Sequence, residues 1–287
     1  MSVFKAIILG IVQGLTEFLP ISSSGHLSVF QYFMGASGEE SLLMTVLLHI
    51  GTLLAVFICF RKTIADLILE AVSMVMDIIH KKFSFKELND KRKMIFYFML
   101  SCVPLLFLLL PVGNGQNIMD KLEVFSQDKS ILAEGICFLV TGALLILATL
   151  RAQKIKRFYK MNFLFAFIVG VAQMAAAAFP GISRSGSTIS SGMLCGVRKS
   201  YMIQYSFILG IPAILAANIV KIGDAVSSGT ELGFLPAFMG IIFSTIFGIL
   251  AIKLLYVIMK KDWFKYFGWY CVAMGSFCMI VSLIKAF

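Results

Sequence analysis

Charge is scarce in this chain: only 14% of its 287 residues are Asp, Glu, Lys or Arg, and 15 of them are acidic. A soluble domain carries roughly a quarter charged residues, so a water-exposed globule around a single core is excluded. The six cysteines, Cys59, Cys102, Cys137, Cys195, Cys271 and Cys278, include no close CxxC pair and none in ligand spacing to a histidine. A disulfide framework and a zinc site are therefore not expected, and the cysteines read as small helix-packing residues. An uninterrupted N-terminal apolar run is missing too, because Glu17, Pro20 and three serines break the first one. Removal of a signal peptide is not expected.

What the chain has in excess is hydrophobicity, with 59% apolar residues and a mean hydropathy of +0.93. It reads as a polytopic, all-α integral membrane protein. Six stretches are long enough to cross a bilayer, given that a helical span needs about 20 mostly apolar residues: 41–60, 94–111, 131–150, 201–220, 234–258 and 266–286. Two more, 3–34 and 162–197, are apolar at both ends and broken in the middle. They predict re-entrant helical hairpins that enter and leave on one side, since irregular backbone at membrane depth must line a protein-enclosed cavity.

The two breaks are nearly the same text. Gln13 to His26 reads QGLTEFLPISSSGH and Gln173 to Ser187 reads QMAAAAFPGISRSGS, each after a matching apolar run, Ile8–Val12 and Ile168–Ala172. Each hairpin precedes three spans, and three is odd, so the second hairpin enters from the opposite face. A single membrane domain over 1–287, with inverted-topology repeat halves at 1–150 and 160–287, is predicted.

Basic residues supply an independent orientation. Eight lie between Arg61 and Lys93 and five between Arg151 and Lys160, joined by Arg198, Lys199, Lys260, Lys261 and Lys265. The other face receives Lys5, Lys121, Lys129, Lys221 and Lys285, while Arg184 and Lys253 fall at membrane depth. The positive-inside rule then puts both termini outside. The net charge of +10 is explained by this bias and by attraction to anionic membrane lipids, and calls for no nucleic acid. Within the basic segment, Ile64, Leu67, Ile68, Ala71, Val72 and Val75 recur at helical spacing and predict an interfacial amphipathic helix.

Chemistry concentrates in the breaks. Gln13 and Glu17 are four apart and share a helix face, so both can point at one ligand or metal. Pro20 stops that helix, and Ser22, Ser23 and Ser24 offer hydroxyls and N-caps to a second helix beginning near Gly25. Ser23 and His26 are three apart, which puts a histidine base within reach of a serine nucleophile or of a water. In the second break Arg184 stands among Ser183, Ser185, Gly186, Ser187 and Thr188. A guanidinium flanked by hydroxyls and a helix N-terminus suits phosphate oxygens. The competing readings are a snorkelling Glu17, a packing His26, and an Arg184 that pins the hairpins together through Glu17. His49 reads either as a neighbour of the pocket or as a packing histidine, and His80 as a solvated one.

If the hairpins converge, an acid, an imidazole, a hydroxyl and an arginine beside two helix N-termini suit phosphoryl transfer. One guanidinium and two helix ends do not balance a diphosphate, so Mg²⁺ or another divalent cation is expected on Glu17, with Gln13 as a second ligand. A transporter or lipid flippase with inverted repeats is the alternative.

At these motifs the chain resembles the undecaprenyl-diphosphate phosphatase family, also known as bacitracin-resistance proteins. The specific part is Gln13-x-x-x-Glu17 through His26, plus Pro180 through Ile189. The resemblance implies a phosphatase of the bacterial plasma membrane that converts undecaprenyl diphosphate to undecaprenyl phosphate, recycling the lipid carrier of cell-wall synthesis. It implies catalytic roles for Glu17, Ser23, His26 and Arg184. Gln13, Ser22, Ser24, Gly25, Ser183, Ser185, Gly186, Ser187 and Thr188 are expected to bind substrate, in a pocket open to the outer face. Gln13 replaces a glutamate of some members, Thr45 stands where an acidic residue is expected, and Gln173 is given no catalytic role. A homodimer is compatible with the sequence, because interfaces between membrane helices leave a weak signature.

Overall fold

Serine and asparagine side chains, Ser2, Ser22, Asn89, Asn162 and Ser183, cap the starts of five helices. The computed structural model describes residues 1–34, 39–85, 88–113, 116–123, 131–179, 181–227, 233–260 and 263–286. Pro180, Lys129 and Lys261 lie outside the described residues. The described residues form α1 (Val3–Phe18), α2 (Ser23–Phe33), α3 (Glu39–Ile79), α4 (Asp90–Leu106), α5 (Ile118–Glu123), α6 (Leu132–Lys154), α7 (Phe163–Ala178), α8 (Arg184–Leu194), α9 (Lys199–Ser227), α10 (Phe234–Lys260) and α11 (Phe264–Ala286). Among them there is no sheet, only isolated bridges.

Among the described residues six helical stretches are long and apolar enough to cross a membrane: Leu42–Ile79, Asp90–Leu109, Leu132–Lys154, Lys199–Ile219, Phe234–Ile258 and Phe264–Ile284. They overlie the six expected from the sequence, and the chain is a multi-pass membrane protein. Its flanks agree, since large apolar side chains such as Phe4, Ile219 and Ile284 stay about 70% exposed. Such a surface is tolerable only against lipid.

The broken segments become two pairs of short helices with matching lengths. α1 and α7 have 16 residues each, and α2 and α8 have 11 each. At 1.5 Å per residue the longer of these reaches about 24 Å, short of the ~30 Å hydrocarbon core. Their starts match as well. Ser2 accepts from Lys5 N and Asn162 from Phe165 N, while Ser22 accepts from Gly25 N and Ser183 from Gly186 N. Leu19 and Phe179 leave the helix in extended backbone, which is the conformation a following proline enforces.

The amphipathic stretch from Ile64 is helical, as expected, and is joined to the span before it: α3 runs from Glu39 to Ile79 and bends at Phe60 (φ −110°, ψ 17°), where the span expected from the sequence ends. No Gly or Pro lies between Thr52 and Ile79 to stop it. The start of α4 is fastened to this extension, with Lys91 on Asp66 at 3.2 Å and Arg92 on Glu70 and Asp77. His80 is exposed at the end of α3, as expected.

Small residues let the membrane helices touch. A Cβ at Gly142 would lie 2.8 Å from Gly268 O where α6 crosses α11, and one at Gly14 would lie 2.6 Å from Ser244 O where α1 crosses α10. Without a hydrophobic drive between helices in lipid, such close van der Waals contact is what holds them. All six cysteines are free, and Cys137, Cys271 and Cys278 are buried packing residues.

Candidate active site

The tips of the two short-helix pairs interlock. Gly181 N donates to Ser24 Oγ at 3.1 Å, Ser185 Oγ donates to Leu19 O at 3.5 Å, and a Cβ at Gly186 would lie 3.3 Å from Pro20 O. Ser22 turns the first tip at φ 71°, a left-handed value that costs a non-glycine residue strain. In that position its hydroxyl caps Gly25 N and its carbonyl begins α2.

Glu17 lies at the centre, on the last turn of α1 and 7% exposed. Its Oε1 accepts from Arg184 Nη2 at 2.7 Å. Its Oε2 accepts from Ser23 Oγ at 2.6 Å and from Gln13 Nε2 at 2.9 Å. Ser23 is the first residue of α2 and Arg184 the first of α8, so the opening residue of each short helix bonds one carboxylate. Every partner donates, which matches an ionised, acceptor-only Glu17. Each helix start also contributes about +0.5 of a charge to the same place.

Arg184 is held from behind. Nη1 donates to Ser206 O at 3.4 Å, and Thr188 Oγ1 bonds Ser206 Oγ at 2.6 Å. Gly210, one turn further along α9, leaves the space the guanidinium fills: a Cβ there would overlap Arg184 Nη1. On the opposite side of Glu17, His49 Nδ1 bonds Thr45 O at 2.8 Å, and its Nε2 faces Glu17 Oε2 at 3.8 Å. Of the two readings left open for His49, the structure selects the neighbour of the pocket.

His26 is placed differently from expectation. Its Nδ1 donates to Ser22 O at 2.7 Å, and its Nε2 pairs with Tyr270 OH at 2.7 Å, with the two rings stacked 5.6 Å apart. The expected His26–Ser23 pair is therefore not formed, and the Ser23 hydrogen goes to Glu17. The reason is local: the first turn of α2 leaves the Ser22 carbonyl within reach of the ring four residues on. Phe138 packs edge-on against the other side of that ring at 5.0 Å.

The remaining predicted residues lie at or beside the tips. Ser24 is exposed there, whereas Gly25, Ser183, Ser185, Gly186, Ser187 and Thr188 are buried. Ser183 N donates to Thr141 Oγ1 at 3.1 Å. Sequence reasoning missed Tyr270, Ser206, Gly210 and Thr141, since single polar or small residues in clean apolar spans carry no motif. It missed Glu134 as well, a buried carboxylate whose Oε1 accepts from Ser28 Oγ at 2.6 Å. Ionisable groups at membrane depth were its only available signal.

For a divalent cation the site offers little of its own. Among the described residues no group of three His, Cys, Asp or Glu side chains is placed to hold one. Gln13 Oε1 is buried with no donor facing it, and Glu17 adds a carboxylate. Two oxygens fit an ion that takes the rest of its shell from phosphate and water, as Mg²⁺ does.

A family profile described as "Bacitracin resistance protein BacA" matches residues 6–277. A protein of Alkaliphilus metalliredigens named undecaprenyl-diphosphatase is 37% identical over 286 residues, covering 99% of this chain and 100% of that one. One of the same name from Methanosphaera stadtmanae is 37% identical, covering 99% of both chains. Another from Korarchaeum cryptofilum is 36% identical, covering 99% of this chain and 100% of its own.

Proposed function

The chain belongs to the bacitracin resistance protein BacA family, and on that footing we propose that it is an undecaprenyl diphosphatase. It hydrolyses the terminal phosphate of undecaprenyl diphosphate, giving undecaprenyl phosphate and inorganic phosphate. The product is the lipid carrier of cell-wall synthesis, and its regeneration confers the bacitracin resistance of the family name. One observation carries this reading: the first residues of both short helices, a hydroxyl and a guanidinium, bond the same buried carboxylate.

In the proposed mechanism the diphosphate displaces Arg184 from part of its contact with Glu17 and takes the guanidinium and the N–H groups of the two helix starts as counter-charge. Glu17 accepts the Ser23 hydroxyl proton as Ser23 Oγ bonds the terminal phosphorus and the bridging P–O bond breaks. Undecaprenyl phosphate leaves as an anion held by Arg184. Glu17 passes the proton it took from Ser23 to His49, and water then attacks the phosphoserine phosphorus as Glu17 takes the water's proton. The Ser23 Oγ–P bond breaks, Ser23 Oγ regains its hydrogen from Glu17, and inorganic phosphate departs. His49, facing Glu17, is placed to pass protons between the carboxylate and the exterior. His26 acts by position, fixing the Ser22 carbonyl and the start of α2. Glu17 and Gln13 Oε1 would hold a Mg²⁺ ion, which would supply further charge neutralisation.

The same reading includes re-entrant hairpins in an inverted repeat, both termini outside and a pocket open to the outer face. The matching lengths and caps support the repeat. So does the packing, with α1 against α10 and α7 against α4, the partners exchanged when the halves are exchanged. Arg61 and Lys62 just past the bend of α3, and Arg151 and Lys154 in the last turn of α6, support the orientation. The transporter alternative is not favoured, since the relatives are named for a hydrolysis.

The test is direct: purified protein in detergent, with no gradient, should release inorganic phosphate from undecaprenyl diphosphate. Acid-stable labelled phosphate absent from Ser23 after a quench would replace the serine by a direct water attack. No release at all would remove the phosphatase itself.

A further inference from the structure

At the basic end of the molecule, far along α3 from His49, a cavity of about 540 Å³ opens between the bend of α3 and α10. It shares no lining residue with the site around Glu17. Arg61 and Lys62, just past the bend at Phe60, line it from α3, and Lys253 lines it from α10. Lys253 is the only formal charge in the span Phe234–Ile258. Phe60 and Tyr256 form the apolar wall, and Ile58, 53% exposed, opens the rim sideways towards lipid.

The charge here is unlike that at the start of α4. Lys91 and Arg92 each meet carboxylates. Among the described residues Arg61, Lys62 and Lys253 join no ion pair, and no carboxylate lines the cavity. Three cations around one small apolar-walled volume repel one another, and a cation inside an apolar span is costly unless it has a partner. A general attraction to anionic lipid needs neither a cavity nor a lysine displaced into the span. An anion answers both features.

The geometry points to a second phosphate site, in which the phosphate of an anionic membrane lipid sits among Arg61, Lys62 and Lys253 and its chains pass over Phe60 and Ile58. The occupant is a lipid rather than free phosphate because the rim is apolar and open sideways. The volume suits a headgroup, within the roughly 300–1,000 Å³ of ordinary ligand pockets.

The full chain in nanodiscs or detergent, studied by native mass spectrometry with phosphatidylglycerol, phosphatidylcholine or inorganic phosphate, tests this. One phosphatidylglycerol should bind in preference to phosphatidylcholine. The combined Arg61→Ala, Lys62→Ala and Lys253→Ala variant should bind it about a hundredfold more weakly. A control with Lys154→Ala, Lys156→Ala and Arg157→Ala, on the same basic end but outside the cavity, should bind it normally. Equal loss in both variants means diffuse attraction and overturns the site, as does displacement of the lipid by millimolar phosphate. Cys59 also lines the cavity, so the unmodified protein gives a second readout. Phosphatidylglycerol, and not phosphatidylcholine, should slow maleimide modification of Cys59; equal rates in the two lipids also overturn the proposal.

Discussion

Ser23 Oγ donates to Glu17 Oε2 at 2.6 Å, so the hydroxyl that opens α2 has its hydrogen on the carboxylate that closes α1. The Pro20 turn makes this contact, and it fixes which base serves the serine. Glu17→Gln should lower kcat by about 10³-fold, because the amide can neither take the proton nor neutralise Arg184. Its melting temperature in detergent, measured beside activity, separates this from the cost of leaving Arg184 unpaired.

Arg184→Lys should retain the charge and lose the fork. The ammonium cannot bond a diphosphate in the bidentate manner, and a fall of about 10²-fold in kcat/KM is expected. Phosphate release measured across substrate concentrations checks it. Near-normal activity would mean that the guanidinium only pins the two short-helix pairs together.

Gly210→Ala examines the same group from α9. The added methyl would overlap Arg184 Nη1, so the guanidinium must leave its seat while Glu17 and Ser23 stay. The expected result is at least a tenfold loss of kcat/KM with little change in expression.

The two histidines should separate. His49→Ala is expected to change the pH profile of kcat, because its Nε2 faces Glu17 at 3.8 Å and would carry protons. Tyr270→Phe removes the partner of His26 Nε2 and should cost a few-fold in kcat with the profile unmoved. A profile left unchanged by His49→Ala would confine that residue to packing.

The orientation can be read without activity. A reporter enzyme that functions only outside the cell, fused after Phe287, should be active, and the same reporter fused in the 156–158 segment should be inactive. The reverse pattern would invert the assignment of faces drawn from the lysines and arginines.

Much of the fold was legible because each span is a long apolar run whose ends are marked by charge. The bend in α3 falls at Phe60, where the first span was expected to end; that the helix resumes directly after it was not legible, since no glycine or proline marks the site. Of the site, Gln13, Glu17, Ser23 and Arg184 were legible as polar residues at membrane depth, and the structure brings them together. The pairing of His26 with Ser23 was misread, because a three-residue spacing permits contact but does not choose between a side-chain hydroxyl and a nearer backbone carbonyl.

The amino-acid order alone determined that this chain lives in a membrane, where its helices run, and that two serine-rich breaks hold its polar chemistry. Those are consequences of transfer free energy and local backbone sterics, which act residue by residue. Only the tertiary structure decided that Ser23 and Arg184 meet on Glu17, that His49 joins them, and that Gly210 leaves room for the guanidinium. Such contacts join residues up to 167 positions apart. Their geometry depends on how closely small residues let whole helices approach, a sum over many weak contacts that no short motif encodes.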